Sequence, residues 1–214
     1  MAQLNYEVLK ASGYDGFVLE SAPEKVMQFG EGNFLRAFVD YFIDIANEKA
    51  GFNGKAVLLQ PIAPGLADII NKQQGLYTLY LRGNEKGVKV DAKRVISSCS
   101  RAINPYAADG WDKVLELARS KDLEIIVSNT TEAGIVHEDQ SKFDQTPPVS
   151  FPAKLTRVLF ERFKAKLGGL IILSCELIDN NGKELLKCVN SYIDDWKGDL
   201  GADYDAFKAW VNDA

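Results

Sequence analysis

Gly30-Glu31-Gly32-Asn33-Phe34 stands directly after an apolar run, Lys25 to Phe29, and opens a stretch in which Phe34, Phe38, Tyr41, Phe42 and Ile45 recur at helical spacing. Glycines at a strand-to-helix turn let backbone come close to a phosphate, and a helix N-terminus adds free N–H groups and a partial positive charge. The chemistry this arrangement suits is the holding of a dinucleotide pyrophosphate by Gly30, Gly32, Asn33 and Phe34. The dinucleotide fingerprint has a third glycine three residues after the second, and here that place holds Leu35. At the end of the next strand, where such sites place an acid for the ribose hydroxyls, stands Gln60, followed by Pro61. Gln60 can bond a 2′-hydroxyl, and no Arg follows directly to hold a 2′-phosphate, so NAD is favoured over NADP. A third loop, Asn129-Thr130-Thr131-Glu132, follows a further apolar strand at a position that lines the ligand crevice of an open α/β sheet. Glu176 and the loop Asp179-Asn180-Asn181-Gly182 follow yet another strand. A lone carboxylate there is either catalytic or a hydrogen-bonding loop residue.

Other chemistries lack their residues. Cys99, Cys175 and Cys188 lie far apart without a CxxC pair, and His137 is the only histidine. Zinc sites of His and Cys, Ser-His-Asp triads and Cys-His pairs would all need that one imidazole, so no metal site and no hydrolase is expected. No GxxxxGK[ST] occurs, which excludes a P-loop. Among 214 residues, 25 Lys and Arg stand against 30 Asp and Glu, a formal net charge of -5. That balance argues against a nucleic-acid partner. No apolar run approaches the ~18 residues of a membrane span, and MAQLNYEVLK lacks the basic flank and apolar core of a signal peptide, so a cytoplasmic protein is expected.

The elements that must position these residues are an alternation of continuous apolar strands and amphipathic helices. Strands are expected at Lys25 to Phe29, Ala56 to Leu59, Glu124 to Ser128 and Gly169 to Cys175. Helices are expected after Gly32, from Trp111 to Ser120 with Asp109 as N-cap, from Ala153 to Lys166, and through Leu185, Val189, Tyr192 and Trp196. Tyr77 to Arg82 and Val88 to Ile96, joined by GNEKG, read as an antiparallel hairpin inserted in or added to the edge of the sheet. The expected fold is α/β, a Rossmann-type mostly parallel sheet with helices on both faces and an added antiparallel hairpin, over residues 1–214 as one domain.

Several separated blocks resemble one family. QFGEGNFLRAFVDYFID at Gln28 to Asp44 is similar to the N-terminal G-x-G-x-F-x-R-A motif of the mannitol dehydrogenase family of polyol and hexuronate dehydrogenases. SNTTEAGI at Ser128 to Ile135, FPAKLTRVLFERF at Phe151 to Phe163, and SCELIDNNG at Ser174 to Gly182 resemble further blocks in the same order, with wording nearest the tagaturonate reductase branch. The resemblance implies an NAD-binding Rossmann-type domain and interconversion of a sugar-acid ketone and alcohol. It implies cofactor contacts at Gly30, Gly32, Asn33, Phe34, Asn129, Thr130, Thr131 and Glu132. It also implies a helical C-terminal domain carrying the catalytic lysine with its Asn and His, and a Val-Asp-Arg motif, neither of which occurs in these 214 residues. Where mannitol dehydrogenases carry a substrate-polarising Asn, Leu177 stands here. The expectation is a cofactor-binding half with no catalytic residue of its own, its partners being the C-terminal domain and a small sugar-acid substrate. Fructuronate reductase, mannitol dehydrogenase, a methyltransferase and a non-catalytic Rossmann-like module are the alternatives. Gln60 in place of an acid argues against a methyltransferase.

Overall fold

A computed structural model describes residues 3–130 and 133–213. Along the chain the elements are α1 (Tyr6–Ala11), β1 (Glu24–Phe29), α2 (Asn33–Ala37), α3 (Val39–Ala50), β2 (Lys55–Leu59) and α4 (Ala67–Lys72). There follow β3 (Tyr77–Glu85), β4 (Val88–Ile96), β5 (Cys99–Ile103), α5 (Gly110–Ala118), β6 (Ile125–Ser128) and α6 (Phe151–Lys164). The last are β7 (Ile171–Ser174), α7 (Asn181–Asp195), α8 (Lys197–Leu200) and, after a short 3-10 turn, α9 (Tyr204–Asp213). Five strands form a parallel sheet in the order β5-β2-β1-β6-β7. That order places β1 at the centre and sends the chain across the sheet in both directions from it, so the carboxyl ends of β1 and β6 flank the point where the winding reverses.

Side chains alternate across the strands and feed two cores. Met27 and Phe29 of β1 join Val57, Leu59 and Ile126 under α5, α6, α7 and α9, with Trp111, Leu155, Val158, Val189 and Phe207. On the opposite face Val26, Leu58 and Val127 meet Leu35 of α2, Val39 and Ile43 of α3, and Ala67 and Ile70 of α4. Two-sided burial explains the unbroken apolar strands AVLL and IIV. No described helix is long and apolar enough to cross a membrane.

Five details differ from the sequence expectation. The helix after Gly32 is broken at Phe38, whose ψ of -74 separates α2 from α3. Its aromatic stripe faces outward: Phe34, Phe38 and Phe42 are 54%, 46% and 55% exposed, while Asp40 and Asp44 are fully buried. The hairpin is a sheet of its own, closed by Lys86 and Gly87 at φ 49 and 83, the pair of positive values that a two-residue type I′ turn needs. It is followed at once by β5, a fifth parallel strand that the sequence reading did not separate from it. Asp44 makes that corner possible: its Oδ1 accepts from Ser97 N at 2.8 Å and Ser97 Oγ at 3.0 Å, and its Oδ2 from Arg94 Nε at 2.7 Å. At α5, Asp109 holds the N-cap position, but its carboxylate pairs with Lys113 at 2.7 Å instead of capping the backbone.

Candidate functional site

The carboxyl ends of the parallel strands lie side by side and carry the loops that the sequence singles out. Gly30 N donates to Leu59 O at 3.1 Å, Asn129 N to Phe29 O at 3.2 Å and Cys175 N to Ser128 O at 2.8 Å, so strand pairing continues to the rim. Gly30 has φ 127, a value L side chains rarely adopt, and an added Cβ would press on Leu35 Cδ1 at 3.1 Å and Asn129 O at 3.4 Å. Fold geometry therefore accounts for Gly30, and Leu35, occupying the third-glycine place, fills the space beneath the turn.

Gly32 is different. Its φ of -70 is open to any residue, and a Cβ built there meets nothing within 4 Å. It forms the N-cap of α2 without a side-chain cap, and the first turn contains no acidic residue. The N–H groups of residues 33 to 35 are thus a helix start without intrahelical acceptors. Asn33 and Phe34 are exposed beside it; Asn33 Oδ1 accepts from Arg36 Nη2 at 2.6 Å, and the Phe34 ring stacks on Phe38 at 5.5 Å. Arg36, which the sequence reading did not select, places a guanidinium at this turn.

Gln60 lies at the same rim but is 3% exposed, and its amide is engaged within the chain. Nε2 donates to Ile62 O at 2.8 Å and Ala63 O at 2.6 Å, and Oε1 accepts from Ala67 N at 3.3 Å. Glu31 completes this arrangement by accepting from Leu66 N, its Oε2 remaining buried without a partner, and burial pushes its carboxyl above the usual range. The two side chains fold the 61–66 loop down onto themselves so closely that Gly65 has no room for a Cβ. Gln60 thus shapes a loop over the rim instead of presenting a free acceptor.

The third loop is held by Glu176. Its Oε1 accepts from Thr130 N and Thr130 Oγ1, both at 3.0 Å, and its Oε2 from Ser128 Oγ at 3.1 Å. Asn129 Nδ2 donates to Cys175 O at 2.7 Å. Of the two readings of Glu176, the structure supports the hydrogen-bonding one: the carboxylate is 3% exposed and spent on the loop. Asn129 and Thr130 are half-buried beside Gly30, and Thr131 and Glu132 lie outside the described residues. Leu177 is 84% exposed.

Lys154, on the first turn of α6, is another titratable group whose charge the fold disturbs. Burial pulls its ammonium down to about 8, and its Nζ donates to Val149 O at 2.7 Å and lies over the Tyr106 ring. The described residues contain no cluster of three or more His, Cys, Asp or Glu able to hold a metal ion. The rim can bind an anionic ligand through backbone N–H groups, but its carboxylates are engaged in loop structure.

Beside the rim, Phe38, Phe42, Phe52, Ile125, Ile172 and Leu173 line an open apolar groove. Among the described residues β7 has a neighbour on one side only, and Ile171, Ile172 and Leu173 are 61%, 37% and 47% exposed. A strand whose successive residues are all apolar is suited to burial on both faces, so this groove is an unfinished surface.

The chain is 43% identical over 210 residues to an altronate oxidoreductase of Phocaeicola vulgatus, covering 96% of this chain and 42% of that protein. It is 46% identical over 197 residues to an altronate oxidoreductase of Enterobacter sp. (strain 638), covering 90% and 39%. The chain therefore spans about two fifths of the length of these curated relatives. Its fold superposes on Pseudomonas fluorescens mannitol 2-dehydrogenase, solved as a ternary complex with NAD and D-mannitol, with a TM-score of 0.77 at 20% identity, covering 98% of this chain and 45% of that one. The family described as the mannitol dehydrogenase Rossmann domain matches residues 24–214, and the chain belongs to it.

Proposed function

We propose that this chain is the NAD(H)-binding part of a tagaturonate reductase, the enzyme that interconverts D-altronate and D-tagaturonate. The observation that carries the cofactor assignment is Gly32: nothing among the described residues requires a glycine there, and it stands at the N-cap of a helix start without a side-chain cap. A close-lying ligand phosphate supplies the missing reason, and the free N–H groups of residues 33 to 35 supply its binding. Gly30, Gly32, Asn33 and Phe34 would hold the pyrophosphate, and Asn129 and Thr130, with Thr131 and Glu132, the nicotinamide side. Gln60 would act through the 61–66 loop that it shapes. The identity of 43% to 46% with altronate oxidoreductases supports the choice of substrate class.

A bound dihydronicotinamide supplies the hydride for a sugar ketone, but the developing alkoxide also needs a proton donor and a polarising group. At this rim Glu176 is occupied by Ser128 and Thr130, and Lys154 by the Val149 carbonyl. The remaining three fifths of the relatives' length would provide the missing groups, in a domain that covers the Phe38–Leu173 groove. The 214-residue chain alone is then expected to bind NADH without reducing tagaturonate at enzymatic rates.

Calorimetric titration tests this reading, with NADH, NADPH and S-adenosylmethionine as parallel ligands. Saturable NADH binding that weakens more than about tenfold in Gly32→Val, a loss of over ~1.4 kcal/mol, is the expected result. A Cβ at Gly32 meets no described protein atom within 4 Å and the φ of -70 is open to any residue, so the fold should tolerate the change. Equal NADH affinity in both proteins, or binding of S-adenosylmethionine alone, would overturn the assignment.

A further inference from the structure

Beneath the Gly30–Gly32 turn lies a buried polar cluster that the cofactor reading does not use. Asp40 of α3 is fully buried against the sheet. Its Oδ2 has three donors, each at 3.4 Å: Gln28 Nε2 from β1, Tyr77 Oη from β3 and Cys99 Sγ from β5. Its Oδ1 is buried with no partner, and so is Gln28 Oε1, on the side chain that already touches Asp40 through Nε2. Gln28 is not free to turn over, because Nε2 also donates to the Gly30 carbonyl at 3.1 Å. With the amide reversed, two carbonyl oxygens would face each other.

Two orphaned acceptors on neighbouring side chains in a fully buried site cost several kcal/mol unless a donor joins them. A single proton on Asp40 Oδ1, donated to Gln28 Oε1, removes both orphans and leaves every polar atom of Gln28 bonded. We infer that Asp40 is held as the neutral acid paired with Gln28, and that this pair is the positioning element of the Gly30–Gly32 turn, coupling the turn to the ionisation of Asp40. Ionisation would draw the Nε2 hydrogens toward a carboxylate and set Gln28 Oε1 against a negative charge, loosening the hold on Gly30. The surroundings favour the acid, since burial raises Asp40 to about 7 despite its donors and the charge of Arg36 on α2. The other titratable groups near the cluster are Cys99 and Tyr77, both pushed upward by burial, Asp44, paired with Arg94, Lys55 on β2, and Glu31 within the turn itself, which burial also raises and whose own titration is present alike in wild type and Asp40→Asn.

The inference gains its functional meaning from the proposed cofactor site, but its test does not need a ligand. In the ligand-free 214-residue chain, difference infrared spectroscopy should show a protonated carboxyl band at about pH 6 that bleaches toward about pH 9 and is absent in Asp40→Asn. Over the same range the amide resonances of Gly30, Glu31 and Gly32 should shift in the wild type. Apart from the Glu31 titration, they should stay at their low-pH positions in Asp40→Asn, whose amide donates to Gln28 as the acid does. Gln28→Met, which keeps the volume and removes the link, should leave the band in place and make the turn resonances insensitive to pH beyond that same titration. A carboxylate already ionised at about pH 6, or turn resonances that titrate alike in wild type and Asp40→Asn, would overturn it. NADH affinity, measured alongside, should fall roughly tenfold over that range in the wild type and hold steady in Asp40→Asn. Absence of any NADH binding would count against the cofactor assignment, while the infrared and resonance measurements would still decide the role of Asp40.

Discussion

Helices α3 and α6 lie on opposite faces of the same sheet and carry the same helical periodicity of apolar residues, yet they use it in opposite ways. In α6 the stripe turns inward: Leu155, Val158 and Leu159 are 0%, 0% and 5% exposed, behind a Ser150 cap that accepts from Ala153 N. In α3 and the turn before it, the aromatic stripe lies outward and two carboxylates turn in. The difference comes from what each helix must cover. The sheet offers α6 an apolar layer of Met27, Phe29 and Leu59. To α3 it offers, besides a smaller apolar patch, the corner between β4 and β5, whose buried Ser97 N–H is accepted by Asp44 and whose Arg94 side chain is shared between Asp44 and Glu48. An amphipathic pattern thus identifies a helix with two unlike faces and leaves open which one the fold buries.

The contrast can be broken most sharply in the two stripes themselves. Leu155→Ala should cost about 4 kcal/mol of stability, as large-to-small changes in a closed core do, whereas Phe42→Ala should change it by less than about 0.5 kcal/mol. Urea unfolding of the two variants measures both, and equal losses would mean that the α3 stripe is packed after all.

Removing the buried carboxylate that holds the hairpin corner comes next. Asp44→Ala leaves the buried Ser97 N–H without its acceptor and the Arg94 guanidinium with Glu48 alone, and should cost about 3 kcal/mol. The loss should be accompanied by faster amide exchange at Ser97 and Ser98 than at Val158.

Asp40 sharpens the comparison through pH. Its acid is raised from 3.8 to about 7 in the folded chain, so between these values the folded state binds more protons than the unfolded one. Its contribution to stability therefore falls as pH rises through that window and is level above it. Asp40→Asn should flatten this fall and be more stable than the wild type by about 2 kcal/mol at about pH 8. Denaturant midpoints across pH read this directly, and a wild type as flat as the variant would contradict it.

The smallest effect on folding, and the clearest on behaviour, belongs to the outward stripe. Phe38→Ser with Phe42→Ser should alter the unfolding free energy by less than about 0.5 kcal/mol while lowering concentration-dependent self-association seen by light scattering. A wild-type chain that remains monomeric at high concentration would show that the groove needs no cover.

Much of the scaffold was legible because buried parallel strands write themselves as continuous apolar runs: KVMQF and AVLL lie within β1 and β2, and EIIVS and GLIILSC contain the shorter β6 and β7. The glycine turn was legible for the same local reason. What escaped was whatever depended on partners distant in sequence. Cys99–Ile103 reads as CSRAI, too short and too polar to separate from the hairpin, and becomes a strand only because β2 lies beside it. Gln60 reads as a free acceptor at a strand end, but its role depends on Ile62, Ala63 and Ala67 returning to it. Glu176 could not be assigned between catalysis and support until Ser128 and Thr130 were seen against it, 48 and 46 residues away.

By itself the sequence determined the alternation of elements, the strand-to-helix turn at Gly30 and the family resemblance, because strand burial, turn conformation and motif spacing are properties of neighbouring residues. The tertiary structure decided the direction in which α3 faces, which of the two glycines the fold itself requires, and that Gln28 and Asp40 share one buried site. Those outcomes depend on which polar groups are shut away from water together, and residues far apart in the chain meet only when the sheet is assembled.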